Sequence, residues 1–191
     1  HQANTQLISN LVSGDVVTHA TCINDGYLAL SVERNGKDTI YAGPPIPVQL
    51  REYDSRIIGL DLLSNDQGGA LLALTRADGV VEIEALDGQG TSQARRTAVG
   101  APKIAGSARL IKAPSGAVLT YPILQPAFER GVWATPIAHD TTANGAEHRV
   151  NQETIVQTLT TSTQSATQGM GSLFYVTTAG LRSVFLGCAP P

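Results

Sequence analysis

The 191-residue chain has 13 basic and 16 acidic residues, a formal net charge of −3, 42% hydrophobic and 15% charged content. That balance excludes a disordered chain or a coiled coil. Nucleic acid is excluded as a partner, because no Lys/Arg cluster exceeds the pair Arg95-Arg96. No apolar run approaches the roughly 18 residues of a membrane helix.

Taken in chain order, one unit recurs. The segment Thr5–Val12 comes first and stands apart. A strand is expected over Val16–Ile23, then a glycine opening a second apolar strand, Gly26-Tyr-Leu-Ala-Leu-Ser-Val32. Arg34-Asn-Gly-Lys37 supplies the positive-φ positions of a tight hairpin turn, Asp38–Ala42 the third strand, and Ile46–Tyr53 a more polar outer one. The second unit repeats the order: Arg56–Leu63, Gly69-Ala-Leu-Leu-Ala-Leu-Thr75, the turn Arg76-Ala-Asp-Gly79, Val80–Leu86 and Thr91–Val99. In Val81-Glu-Ile-Glu-Ala85 the alternation is clean, with one apolar and one acidic face. The third unit reads Ile104–Lys112, Gly116-Ala-Val-Leu-Thr-Tyr-Pro122, Gly131–Ile137 and Glu147–Gln152. The fourth reads Thr158–Thr167, poorly regular and rich in Thr, Ser and Gln, then Gly171-Ser-Leu-Phe-Tyr-Val-Thr177 and Leu181–Leu186. No long segment has a 3.6-residue period, so almost no helix is expected.

A β-rich unit repeating every 40–50 residues or so is a propeller signature. The expected fold is all-β, a β-propeller of four repeats forming one domain: roughly 13–53, 54–99, 100–152, and 153–191 with 1–12. The N-terminal strand then completes the last blade and removes an exposed edge. Part of a larger propeller and a β-sandwich are the alternative architectures. The layout resembles the β-propeller superfamily, and four units with an end-to-end disulfide resemble hemopexin-like domains. The hemopexin-type blade motif is absent, so no family function is carried across.

Cys22 and Cys188 lie near opposite ends, at matched ends of repeats. A disulfide between them would close most of the chain and stabilise it by roughly 3–5 kcal/mol on the chain-entropy model. That pairing points to an oxidising compartment, secreted or periplasmic, whereas two buried free thiols would fit the cytosol. The start, His1-Gln-Ala-Asn-Thr-Gln6, has no basic-then-apolar signal pattern, as in a cytosolic protein or one whose signal has been removed. His1 with its free amine is a copper-chelating combination or a cloning remnant.

The third unit carries the main excursion. Phe128, Arg130 and Trp133 combine aromatic and guanidinium groups, an anchor for a sugar ring or a partner side chain; packing of Trp133 between blades is the competing reading. The stretch from Ala138 reads as a hairpin placing His139 and Asp140 across from Glu147 and His148. Two imidazoles and two carboxylates can hold a divalent metal or an acid/base pair, but a solvated loop tip is commoner. The first strands line a propeller's axis, which nominates His19, Asp61 and Arg109. No Gly-x-Ser-x-Gly elbow, zinc spacing or phosphate loop occurs, and no cofactor or metal is expected. The reading is a non-catalytic binding or scaffold domain of an exported protein, recognising a protein or glycan partner through loops of one face. A propeller hydrolase, glycosidase- or lactonase-like, is the alternative; a subunit or fragment of a larger propeller is a third. The oligomeric state is left open.

Overall fold

The computed structural model describes residues 11–23, 26–66, 68–152, 155–165 and 170–186, with side chains described outside 155–173 and 184–186. Sixteen strands form four antiparallel sheets among these residues. The first sheet is β1 (Val16–Cys22), β2 (Leu28–Arg34), β3 (Lys37–Gly43) and β4 (Val48–Tyr53), in chain order. The second is β5 (Ile57–Ser64), β6 (Ala70–Arg76), β7 (Val81–Leu86) and β8 (Ser92–Val99), again a simple meander. The third holds β9 (Ile104–Ala105), β10 (Arg109–Ala113), β11 (Gly116–Gln125), β12 (Gly131–Ile137) and β13 (His148–Arg149). The fourth is β14 (Ile155–Ser165), β15 (Met170–Thr177) and β16 (Gly180–Leu186). One 3₁₀ turn, Ala127–Glu129, is the helical element described.

The glycine-led strands behave as their sequence dictates. Asn35 and Gly36 take φ of 55° and 79°, the left-handed pair a two-residue hairpin turn requires. In the third unit the expected single first strand is broken into β9 and β10. Pro122, on the long strand β11, has no N–H to give, and its carbonyl accepts from Gly106 N at 2.8 Å. Ala108 N leaves the ladder altogether and donates to Thr75 Oγ1, 2.9 Å away in the neighbouring sheet.

The core lies between the sheets. One apolar layer joins Ala29, Ile40 and Tyr53 of the first sheet to Leu60, Leu72 and Leu74 of the second. A larger one joins Leu71, Ile83 and Val99 to Leu119, Tyr121 and Ile137 of the third, and Ile111, Val132 and Tyr175 begin a layer with the fourth. The first strands run against one another in sequence: β1 touches β5, β5 touches β10, and β10 touches β14. Sheets stacked face to face with their first strands innermost make a propeller of four repeats. The proposed closure by Thr5–Val12 falls largely on residues outside those described, although Leu11 packs on Leu30, Val32 and Tyr41 of the first sheet. Cys22 ends β1 as an exposed thiol; its expected partner, Cys188, lies outside the described residues.

The alternation of β7 holds, with one apolar and one acidic face, but both faces are buried. Glu82 and Glu84 are as buried as Val81 and Ile83. Strand β7 is covered on both sides, its apolar face by the third sheet and its acidic face by Arg51 and Tyr53 of the first.

Candidate functional site

Polar side chains gather at two places, the axis and the groove between the second and third blades. On the axis, Asp61 Oδ2 accepts Leu110 N at 2.7 Å and an Arg109 Nη1 donates to Leu60 O at 3.4 Å, so β5 and β10 are tied to each other. Burial pushes the Asp61 carboxyl above the usual range, against the pull of Leu110 N–H and Arg109. His19 on β1 is half-buried beside Ile58. Burial lowers its pKa, Asp38 pulls the other way, and Arg109 and Arg56 add to the lowering. The three residues nominated by sequence lie on the first strands β1, β5 and β10, and Arg109 acts on both His19 and Asp61.

The groove is built on β8, β11 and β12. Tyr121 and Trp133 are cross-strand partners, and strand alternation turns both, with Thr135, toward the second blade. Lys103, just before β9, sits 4.8 Å from the Trp133 ring centre and bridges Glu129 at 2.9 Å and Glu147 at 3.2 Å. Burial disfavours the Lys103 charge, but the two carboxylates outweigh it and hold its pKa above the ordinary lysine value. The buried Tyr121 hydroxyl donates to Glu147 and lies 3.0 Å from Thr135 Oγ1. Burial and that hydrogen bond keep the phenol protonated well above its ordinary range. Trp133 Nε1 donates to Glu129 O at 2.8 Å, and Arg149 reaches over the same ring at 6.0 Å.

The site residues expected from sequence divide over this region. Phe128 projects from the 3₁₀ turn and is 76% exposed. Arg130 is turned back on its own loop, donating to Leu124 O at 2.9 Å. His139 and Asp140 line a cleft of about 670 Å³ with Asn65, Asp87, Gln93 and Ser115. Asp140 folds onto its own turn, accepting from Thr142 N at 3.0 Å and Thr142 Oγ1 at 2.6 Å, which holds its carboxyl below the usual range. Glu147 lines a second cleft, about 390 Å³, with Arg96, Lys103, Tyr121 and Thr135. His148 is exposed and paired with Ala134 in the sheet. His139 and Asp140 therefore line one opening and Glu147 another, while His148 lines neither. No cluster of three or more metal-ligating side chains occurs among the described residues. Sequence reasoning missed Lys103, Tyr121 and Arg96; the first two are legible only once β9 and β11 are set beside the loop.

No family model matches the chain, and no curated protein matches its sequence. Among solved structures it is similar to a GH43 β-1,3-galactosidase, with a TM-score of 0.54 and 9% identity over 91% of this chain and 43% of that one. The chain thus spans less than half the length of that structure. At this identity the similarity is one of fold, and it agrees with the all-β propeller arrangement of the sheets.

Proposed function

We propose that this chain is a binding domain of an exported protein, recognising a macromolecular partner through the elaborated third blade. The observation that carries the reading is the exposed Phe128 beside Trp133, Lys103 and Arg149. Inserted loops on a rigid scaffold are where recognition concentrates, and aromatic and arginine side chains anchor partners. The cations are held over the indole, so the surface is ordered before a partner arrives, which lowers the entropic cost of binding. Export would go with a Cys22–Cys188 disulfide, which an intact mass before and after reduction tests. Affinity electrophoresis against a polysaccharide panel, paired with surface binding to candidate proteins, tests the binding reading. Phe128→Ala should reduce retention at least tenfold, while Ile46→Ser, on an exposed site of the first blade, should leave it unchanged. Equal retention by both variants would remove the third blade from the account.

A second reading, a propeller hydrolase acting on glycosides, is favoured by the fold similarity to a galactosidase and by the axial group. Asp61, with its carboxyl raised by burial, has the character of a general acid. Release of reducing sugar from a β-1,3-galactan, abolished in Asp61→Asn, would establish this reading; turnover unaffected by that change would rule out Asp61.

A further inference from the structure

Two bulges turn apolar side chains out toward one propeller face. On β5 the register passes from Ile57, opposite Arg76, to Gly59, opposite Thr75, so Ile58 is the extra residue. On β11 it passes from Ile123, opposite Ala105, to Gln125, opposite Ile104, and Leu124 is the extra one. A bulge leaves its extra residue outside the ladder and re-aims its side chain. Ile58 is 42% exposed and Leu124 37%. The first blade has the same irregularity between Val17 and His19, but its extra residue is Thr18, whose hydroxyl donates to Ser31 O at 3.2 Å. The bulge thus recurs with the scaffold, while the exposed apolar side chains on it come from the second and third blades.

Ile58 lies where the first strand of the second blade begins. Leu124 is bulged opposite β9, where the third blade begins, so both sit at the same end of the axis. Small residues fill the space between them: a Cβ on Gly59 would run into Ser107, and one on Gly106 would come within 3.7 Å of Leu124 Cδ1. The exposed Phe128 stands on the turn after Leu124, and Arg130 returns from that turn to Leu124 O. Exposed apolar residues that adjoin one another mark an interaction surface.

The charges flanking this surface are cationic. Arg56 and Arg130 are exposed, and neither has a carboxylate partner among the described residues. The acids near them are occupied: Lys37 holds Asp54, Arg76 holds Asp78, and Lys103 holds Glu129. Asp38 is buried beneath and accepts Ile57 N at 2.5 Å, and Glu33 stands apart on the first blade, opposite Val16. A glycan would bring hydroxyl groups, yet the carbonyls of Leu124 and Phe128 are already taken by Arg130 and Arg149.

We propose that this face docks an acidic protein segment, its apolar side chains resting on Ile58, Leu124 and Phe128 and its carboxylates meeting Arg56 and Arg130. The inference rests on the binding reading above, names the partner chemistry for it, and extends the surface from the third blade to the second.

The test follows fluorescence anisotropy of labelled short peptides, in which Leu, Ile and Phe alternate with Asp and Glu, titrated with the full chain. Copies with Lys in place of the acids, and with Ser in place of the apolar residues, are the controls. The acidic apolar peptides should bind about tenfold more tightly than either control. Ile58→Ser and Arg56→Glu should each weaken that binding about fivefold or more, with thermal unfolding unchanged because both side chains are exposed. Equal binding of the Lys copies, no binding of any peptide, or binding unchanged in both variants would each overturn the proposal. A polysaccharide retained by the parent and released by Ile58→Ser, with no peptide bound, would overturn the protein assignment. If Phe128→Ala lowers partner retention and Ile58→Ser does not, the third-blade binding domain stands and the two-blade surface falls.

Discussion

Two neighbouring interfaces between blades are built from similar residues and end differently. Between the first and second blades, Arg51 pairs with the buried Glu84 at 3.1 Å and the Tyr53 hydroxyl donates to the buried Glu82 at 2.9 Å. Arg76 and Arg95 add further contacts to Glu82 at 3.4 and 3.5 Å. Each carboxylate is met by a donor. Between the second and third blades, tyrosine again meets glutamate, at Tyr121 and Glu147, yet Arg96 finds no acceptor and two clefts remain open. The difference is one of degree. Asp38 Oδ1 and Arg76 Nε are also shielded without a partner at the first interface, but there each carboxylate keeps at least one donor. At the second, Arg96 makes no hydrogen bond through Nε or Nη2 and two clefts stay open.

Substitutions can break or sharpen that contrast. The largest effect is expected from Arg51→Met, which strands Glu84 without its cation and should cost about 3 kcal/mol in urea unfolding. A loss under about 1 kcal/mol would mean that the pair is a surface ornament. Tyr53→Phe should cost about 1.5 kcal/mol, because Glu82 is buried and loses a donor. Tyr121→Phe should cost about half as much, since Glu147 is more exposed and keeps Lys103; the reverse order would undo the distinction between the interfaces. The smallest structural effect is a pH slope from His19, beside the first interface. Its pKa is lowered in the fold, so its contribution is fully present above the ordinary value of 6.5 and is lost as pH falls through the lowered one. The urea midpoint should therefore drop between about pH 7 and 5, and His19→Gln should flatten that part of the profile.

Much of the architecture was legible because it is local. Glycine before an apolar run, an Asn-Gly turn and an alternating third strand are read within about forty residues, and they place β1 to β8 to within a residue or two. What failed locally failed for a stated reason: Pro122 breaks the ladder opposite Gly106, so the third unit's first strand is split. The burial of the acidic face of β7 was not legible, because its partners Arg51 and Tyr53 lie some thirty residues earlier. The excursion after β12 was expected to set His139 and Asp140 across from Glu147 and His148; instead His139 and Asp140 line one opening, Glu147 another and His148 neither. Lys103 and Arg96 carried no signal of their own; only packing of β8 and β9 against β11 and β12 gives them partners or denies them.

The contrast between the two interfaces is tested most directly by the urea-unfolding free energy of Arg96→Met, set beside that of Arg51→Met. Removing a half-buried cation whose Nε and Nη2 have no acceptor should leave stability within about 0.5 kcal/mol of the parent, or raise it. A loss comparable to that of Arg51→Met would show that Arg96 is satisfied within the fold, and the contrast between the two interfaces would collapse.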